Sequence, residues 1–267
     1  MNDIRVSSWH ELNERLFEGS WKPSLGRFRS TYAFRGQPDV ASDLRTSLTR
    51  LGEATENHLL RNFRKYAQRE VVPGDSVWNW LAVAQHHGLP TRLLDWTYSP
   101  YVAMHFATEH IEHYALDGVI WCVDYMQTNQ LLPDRLQAIL SEEGSFVFTA
   151  EMLGRAAVTL HEFDRLSEKE FVVFFEPPSL DDRIVNQFAL FSLVSNPRLG
   201  LDVWLSQYPA VFRRIVIPAA LKWEIRDKLD QANITERVLY PGLDGLSQWL
   251  KRYYTPRKPP APDGTSG

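Results

Sequence analysis

The chain has 267 residues, 44% hydrophobic and 23% charged, with 9 Trp and a formal net charge of −4. This is the composition of an ordinary folded domain and excludes a largely disordered chain, while the weak negative charge argues against a nucleic-acid binder that works through a broad positive field. A lone cysteine, Cys122, excludes an internal disulfide framework, and the polar start Met1-Asn2-Asp3-Ile4-Arg5-Val6, with no long apolar segment after it, sets the expectation of a cytoplasmic protein without a membrane span.

In chain order, residues 31–37 combine Tyr32 and Phe34 with small and polar neighbours and then meet Gly36 and Pro38, which predicts a short strand with Arg35 near its end. Between residues 21 and 50, Lys22, Arg27, Arg29, Arg35, Arg45 and Arg50 face only Asp39 and Asp43, an excess suited to a small anion or, equally, to a solvated basic face. From Ala54 to Glu70, Leu59, Leu60, Phe63, Tyr66 and Ala67 recur at helical spacing. A second helix is expected from an N-cap at Asp75 or Ser76 through Trp78, Trp80, Leu81 and Val83, stopping at Gly88, with His86 and His87 in its last turn. A third begins with Ser99 as N-cap and Pro100 at the first helical position, and runs to about His113.

Strands are expected at 118–125, 171–175, 188–194 and 212–217, a helical stretch at 218–231 and a last helix at 243–254. The Pro-rich segment 255–267 is expected to be a disordered tail. Strands separated by helices of unequal length favour an α+β fold: one domain over residues 1–254, with a mixed or antiparallel central sheet flanked by helices.

A Gly-rich phosphate loop, a nucleophile elbow and a paired-cysteine zinc motif are all missing from the sequence. Adjacent histidines on a helix point about 100° apart, so His86 and His87 do not make the one-face pair of zinc enzymes, and no metal is expected. What stands out is residues 85–106, where Asp, His, Arg and hydroxyl side chains interrupt a core-like pattern, as functional sites do. Phe34-Arg35-Gly36, the run Gln85-His86-His87-Gly88-Leu89-Pro90-Thr91-Arg92-Leu93-Leu94-Asp95-Trp96-Thr97, and Ser99-Pro100 with Ala103 to Ala107 resemble the FRG domain, a family named for its Phe-Arg-Gly motif. Arg183-Ile184, Asn186-Gln187, Leu190-Phe191 and Ile215-Val216-Ile217-Pro218 resemble that family's later blocks.

A more distant similarity is to ADP-ribosyltransferase folds, which place an arginine on an early strand in a Tyr/Phe-Arg-Gly setting, a hydroxyl motif before a helix, and a glutamate on a late strand. Arg35, the Thr97/Ser99 pair and the Gln187 region follow in that order. The resemblance implies NAD as substrate, a nucleotide or other phosphate-bearing small molecule as partner, a macromolecular acceptor for any transfer, and a role as toxin or defence effector. It implies a ligand-binding set of Arg35, Gly36, Gln37, His86, His87, Thr91, Arg92, Trp96, Thr97 and Ser99. Gln187 stands where the catalytic glutamate is expected, and a neutral amide does not supply a carboxylate's charge; Glu176 and Asp95 are the carboxylates that would do so.

Other readings of the same residues stay open. Arg35 or Arg92 would pair with Asp95 in a buried ion pair, His86 and His87 would cap a helix C-terminus, and Thr97 and Ser99 would be turn and N-cap residues. At the level of function, the alternatives are a non-catalytic module that binds a ligand or partner, and a nucleic-acid-processing enzyme.

Overall fold

The computed structural model describes residues 3–52, 55–67, 74–179 and 181–257. Ala54, residues 68–70 of the expected first amphipathic helix, and the tail from residue 258 lie outside them. Among the described residues there are nine strands: β1 (Asp3–Arg5), β2 (Trp21–Lys22), β3 (Arg27–Phe28), β4 (Tyr32–Gln37), β5 (Leu93–Thr97), β6 (Gly118–Asp124), β7 (Val172–Phe175), β8 (Ala189–Val194) and β9 (Phe212–Ile217). β2 and β3 form a small antiparallel ribbon, and the other seven form one sheet in the order β1-β9-β6-β4-β5-β8-β7. β1 runs parallel to β9 and every other neighbouring pair is antiparallel, so the fold is α+β around a mixed sheet. No helix among the described residues is long and apolar enough to cross a membrane.

The strands are apolar on both faces because both faces are covered. On one face Ala33, Leu94, Trp96, Val119, Trp121, Val123, Phe174 and Leu190 share a continuous core with the helix Leu201–Ser206. The other face is divided. Phe34, Ile120, Cys122, Ile215 and Ile217 pack with the helices Trp9–Phe17, Pro100–Thr108 and Lys222–Gln231, whereas Leu93, Val173, Phe175, Phe191 and Leu193 pack with Val77–His86, Asp134–Glu143 and Ala150–Ala156.

The division lies where β4 meets β5. β4 pairs with β6 over all six of its residues, but with β5 only at Phe34 opposite Thr97. Beyond that pair the two strands part, leaving a fork in the middle of the sheet.

Most expected elements form, with shifted ends. Ser76 caps Val77–His86 by accepting from the Asn79 amide at 3.1 Å. The expected third helix ends at Thr108 and gives way to a single 3-10 turn at Ile111–His113. β5 is a strand within the polar stretch 85–106, where the sequence predicts none, and β1 is also absent from the expected elements. Short helices at Tyr125–Asn129, Leu160–Asp164 and Asp182–Asn186 were likewise unread.

Candidate functional site

The fork opens into a cavity of about 490 Å³ between the two halves of the divided face. Its walls come from β4, β5, the start of β8, the ends of the helices Val77–His86 and Pro100–Thr108, the short helix Asp182–Asn186 and Tyr240. The volume lies within the range of small-molecule sites.

Arg35 sits at the branch point. Its Nη1–H donates to the backbone oxygen of Asp95 at 2.5 Å, bridging the two strands where their ladder has stopped. Its Nε is buried and finds no hydrogen-bond partner among the described residues. Burial lowers the Arg35 pKa, with Asp95 opposing that shift; a guanidinium titrates so far above neutrality that it stays charged. No carboxylate lies within ion-pairing distance of it among the described residues, so the Arg35–Asp95 ion pair does not form.

The Asp95 carboxylate is exposed to the cavity and accepts from Gln85 Nε2 at 3.0 Å on each oxygen. Gln85 Oε1 in turn accepts from the Thr91 hydroxyl at 2.5 Å, and Thr91 Oγ1 accepts from the Leu93 amide at 3.0 Å. Thr91 therefore orients the amide that orients the acid, from a buried position outside the cavity wall.

A second carboxylate, Glu109, enters from the end of the helix Pro100–Thr108. His110 Nε2 lies 3.1 Å and His105 Nε2 3.4 Å from its oxygens, and the Tyr240 hydroxyl donates to it at 3.3 Å. Burial alone would raise the Glu109 carboxyl, but the two imidazoles outweigh it and hold it at about 2. His105, fully buried, has its pKa lowered by that burial; Arg226 donates to its Nδ1 at 2.8 Å, which puts the ring proton on Nε2, facing Glu109. Arg183 stacks 5.1 Å above the Tyr240 ring at the cavity wall. Nothing in the sequence singles out Glu109, His110, His113, Arg183 and Tyr240 as site residues, because polar side chains in short helices and at helix ends look like ordinary solvated ones. Among the described residues no cluster of histidine, cysteine and carboxylate side chains could hold a metal.

Several expected ligand residues are committed elsewhere. Gly36 borders the cavity, but its missing side chain serves the fold: a Cβ there would stand 1.8 Å from the Ala103 oxygen and 2.8 Å from the Ala107 nitrogen, so its absence lets the helix lie on the strand. Gln37 lines the cavity but donates to the Asp43 oxygen and accepts from Trp121 Nε1. His87 is an exposed helix C-cap outside the wall, whereas His86 lines the cavity and pairs with Asp181 at 2.5 Å. Arg92 is buried behind β5, where it pairs with Glu56 and Asp164 rather than with Asp95 or a ligand.

Trp96 borders the cavity, but it is 3% exposed, bonded through Nε1 to Ser192 and packed in the core. Thr97 touches the cavity but spends its hydroxyl on the Gln187 oxygen and the Ser99 amide. Ser99 is the N-cap of the helix it precedes. Gln187 lines the cavity with its Nε2 bonded to the Leu239 oxygen at 3.0 Å. Glu176 is outside the cavity: Phe175 faces the divided side of the sheet, so the next residue emerges on the opposite side, where Glu176 meets Tyr98.

Residues 30–115 match the family model of the FRG domain. The chain carries an FRG domain. Arg35, Gln85, His86, Asp95 and Glu109 all fall within the matched FRG segment, and Arg183, Gln187 and Tyr240 close the cavity from outside it. No curated protein and no solved structure matches the chain.

Proposed function

We propose that the fork of the FRG domain binds a phosphate-bearing nucleotide, with NAD as the candidate, and that the protein cleaves its nicotinamide–ribose bond. The observation that carries this reading is Arg35: a charged, partly desolvated guanidinium with one protein hydrogen bond and an unpartnered Nε, at the wall of a nucleotide-sized cavity. Its remaining donors suit a pyrophosphate, which planar forked groups bind well.

In the cleavage step the bond between ribose C1′ and the nicotinamide nitrogen breaks, and its electron pair leaves with neutral nicotinamide. The positive charge left on the sugar is stabilised by a nearby carboxylate, for which Asp95 is the candidate and Glu109 a second negative group in the same cavity. Gln187, with Oε1 still available, would accept from a ribose hydroxyl. Water, or an acceptor side chain after loss of its proton, then forms the new bond at C1′. NAD consumption of this kind would suit a toxin or defence effector acting in the cytoplasm.

A second reading, binding without chemistry, is favoured by Gln187, whose neutral amide occupies the place expected for a catalytic glutamate. Incubation with NAD labelled in the nicotinamide ring separates the two. The account expects release of free nicotinamide, reduced at least about a hundredfold by Asp95→Asn, the size of effect typical for a preorganised electrostatic contact. Binding without release supports the module, and neither binding nor release removes NAD from the reading.

A further inference from the structure

A second pocket, of about 550 Å³, shares no lining residue with the cavity. Rings from six separate parts of the chain line it: Phe28 of β3, Tyr32 of β4, Tyr98, Tyr125, Phe146 and Phe188. Phe28, Phe146 and Phe188 are 59%, 57% and 57% exposed, a concentration of uncovered aromatic surface beyond the scattered apolar residues of an ordinary surface. Tyr98 stands at the centre, 5.0 Å from Phe188 and 6.1 Å from Tyr125 between ring centroids, with interplanar angles of 56° and 83°. The rings therefore form walls at steep angles to one another rather than a flat stack.

The one acidic side chain in the wall is Glu176. It accepts from the Tyr98 hydroxyl at 2.9 Å and has no cationic partner among the described residues. Arg29 also lines the pocket but turns its Nη1 to the Phe28 oxygen. Tyr32 shows what these rings accept, since the Arg213 guanidinium lies 4.5 Å over it from outside the pocket. Among the described residues no cation covers the other five rings.

Phe188 adds an independent sign that the arrangement is specified. Its φ is 49°, in the left-handed region that bulky residues rarely occupy. The conformation is pinned by hydrogen bonds from the Tyr98 amide to the Phe188 oxygen and from the Phe188 amide to the Val185 oxygen. Backbone strain held in place to present a largely exposed ring points to a task for that ring.

We propose that this pocket binds a small organic cation of the alkylated-ammonium class, with the Tyr98 and Phe188 ring faces around the ammonium and Glu176 as its counter-ion. Ring quadrupoles attract such a cation, and its alkyl surface fills apolar walls that would strip a compact, strongly hydrated ion. The inference does not depend on the nucleotide reading of the fork.

Choline is the probe, and 3,3-dimethyl-1-butanol, its neutral carbon isostere, the control. Titration of the full chain, followed on the ligand's methyl proton signals, is expected to show saturable choline binding at least about tenfold tighter than the isostere. Glu176→Gln should weaken choline about tenfold, and Phe188→Gly should do the same while relieving the backbone, so a loss there is not a folding defect. Arg35→Lys should leave choline binding unchanged. Equal binding of choline and its isostere, or no saturation up to about 50 mM choline, overturns the proposal.

Discussion

Arg35 and Arg92 are both arginines beside strands of the same sheet, both inside the FRG segment, and both deeply placed, yet they are used in opposite ways. Arg92 gives its Nε and both terminal nitrogens to Glu56 and Asp164, and it lies behind β5 with 4% of its side chain exposed. Arg35, at the wall of a cavity, has one bond to a backbone oxygen and a buried Nε with no hydrogen-bond partner among the described residues. A buried cation whose donors are all consumed by carboxylates holds the fold together. One left short of partners carries a desolvation cost that a ligand can relieve.

The contrast is broken most forcefully at Arg92. Arg92→Met leaves Glu56 and Asp164 without their cation and should destabilise the chain by about 4 kcal/mol, measured by urea unfolding. A loss under about 1 kcal/mol would mean that these acids find water or other partners, and that Arg92 is less different from Arg35 than its contacts indicate.

Gly36→Ala tests whether the fork is held from behind by the helix Pro100–Thr108. A methyl group 1.8 Å from the Ala103 oxygen forces strand and helix apart. The expected cost is about 3 kcal/mol, with weakened ligand binding at Arg35 next door. Full stability in a thermal melt would show that the helix is not pinned there.

Glu109 sharpens the electrostatic side of the comparison. Its carboxyl is held at about 2, below the ordinary 4.5. A depressed acid stabilises the fold above its unfolded pKa, and that contribution is lost as pH falls from about 4.5 toward 2. Glu109→Gln should remove about 2 kcal/mol at neutral pH and flatten the acid limb of the stability curve over that window. An unchanged acid limb would show that the imidazoles do not hold this carboxylate.

Much of this was legible in the sequence where the signal is local. Ser99 before Pro100 fixed a helix start, short strand-like apolar runs gave β6 and β9, and Phe34-Arg35-Gly36 with the 85–97 run marked the segment that borders the cavity. What was not legible depends on partners far along the chain. Arg92 and Arg35 look alike until Glu56 and Asp164, 36 and 72 positions away, are seen to reach only one of them. Glu176 was misplaced because a residue at a strand end follows that strand's parity, and a single step moves it to the other face. Gly36 stands in the ligand-binding set that the resemblance implies, whereas the room its missing side chain leaves is taken by a helix whose docking angle no local pattern encodes.

The central claim, that Arg35 is kept short of partners for a phosphate-bearing ligand, is tested most directly by calorimetric titration of Arg35→Lys with NAD beside a thermal melt of the same protein. Lysine keeps the charge but loses the planar fork. The account predicts affinity lowered by about tenfold or more, the worth of a charge-assisted contact, with the melting temperature nearly unchanged. Normal NAD affinity with a lowered melting temperature would contradict it and make Arg35 a structural clamp between β4 and β5.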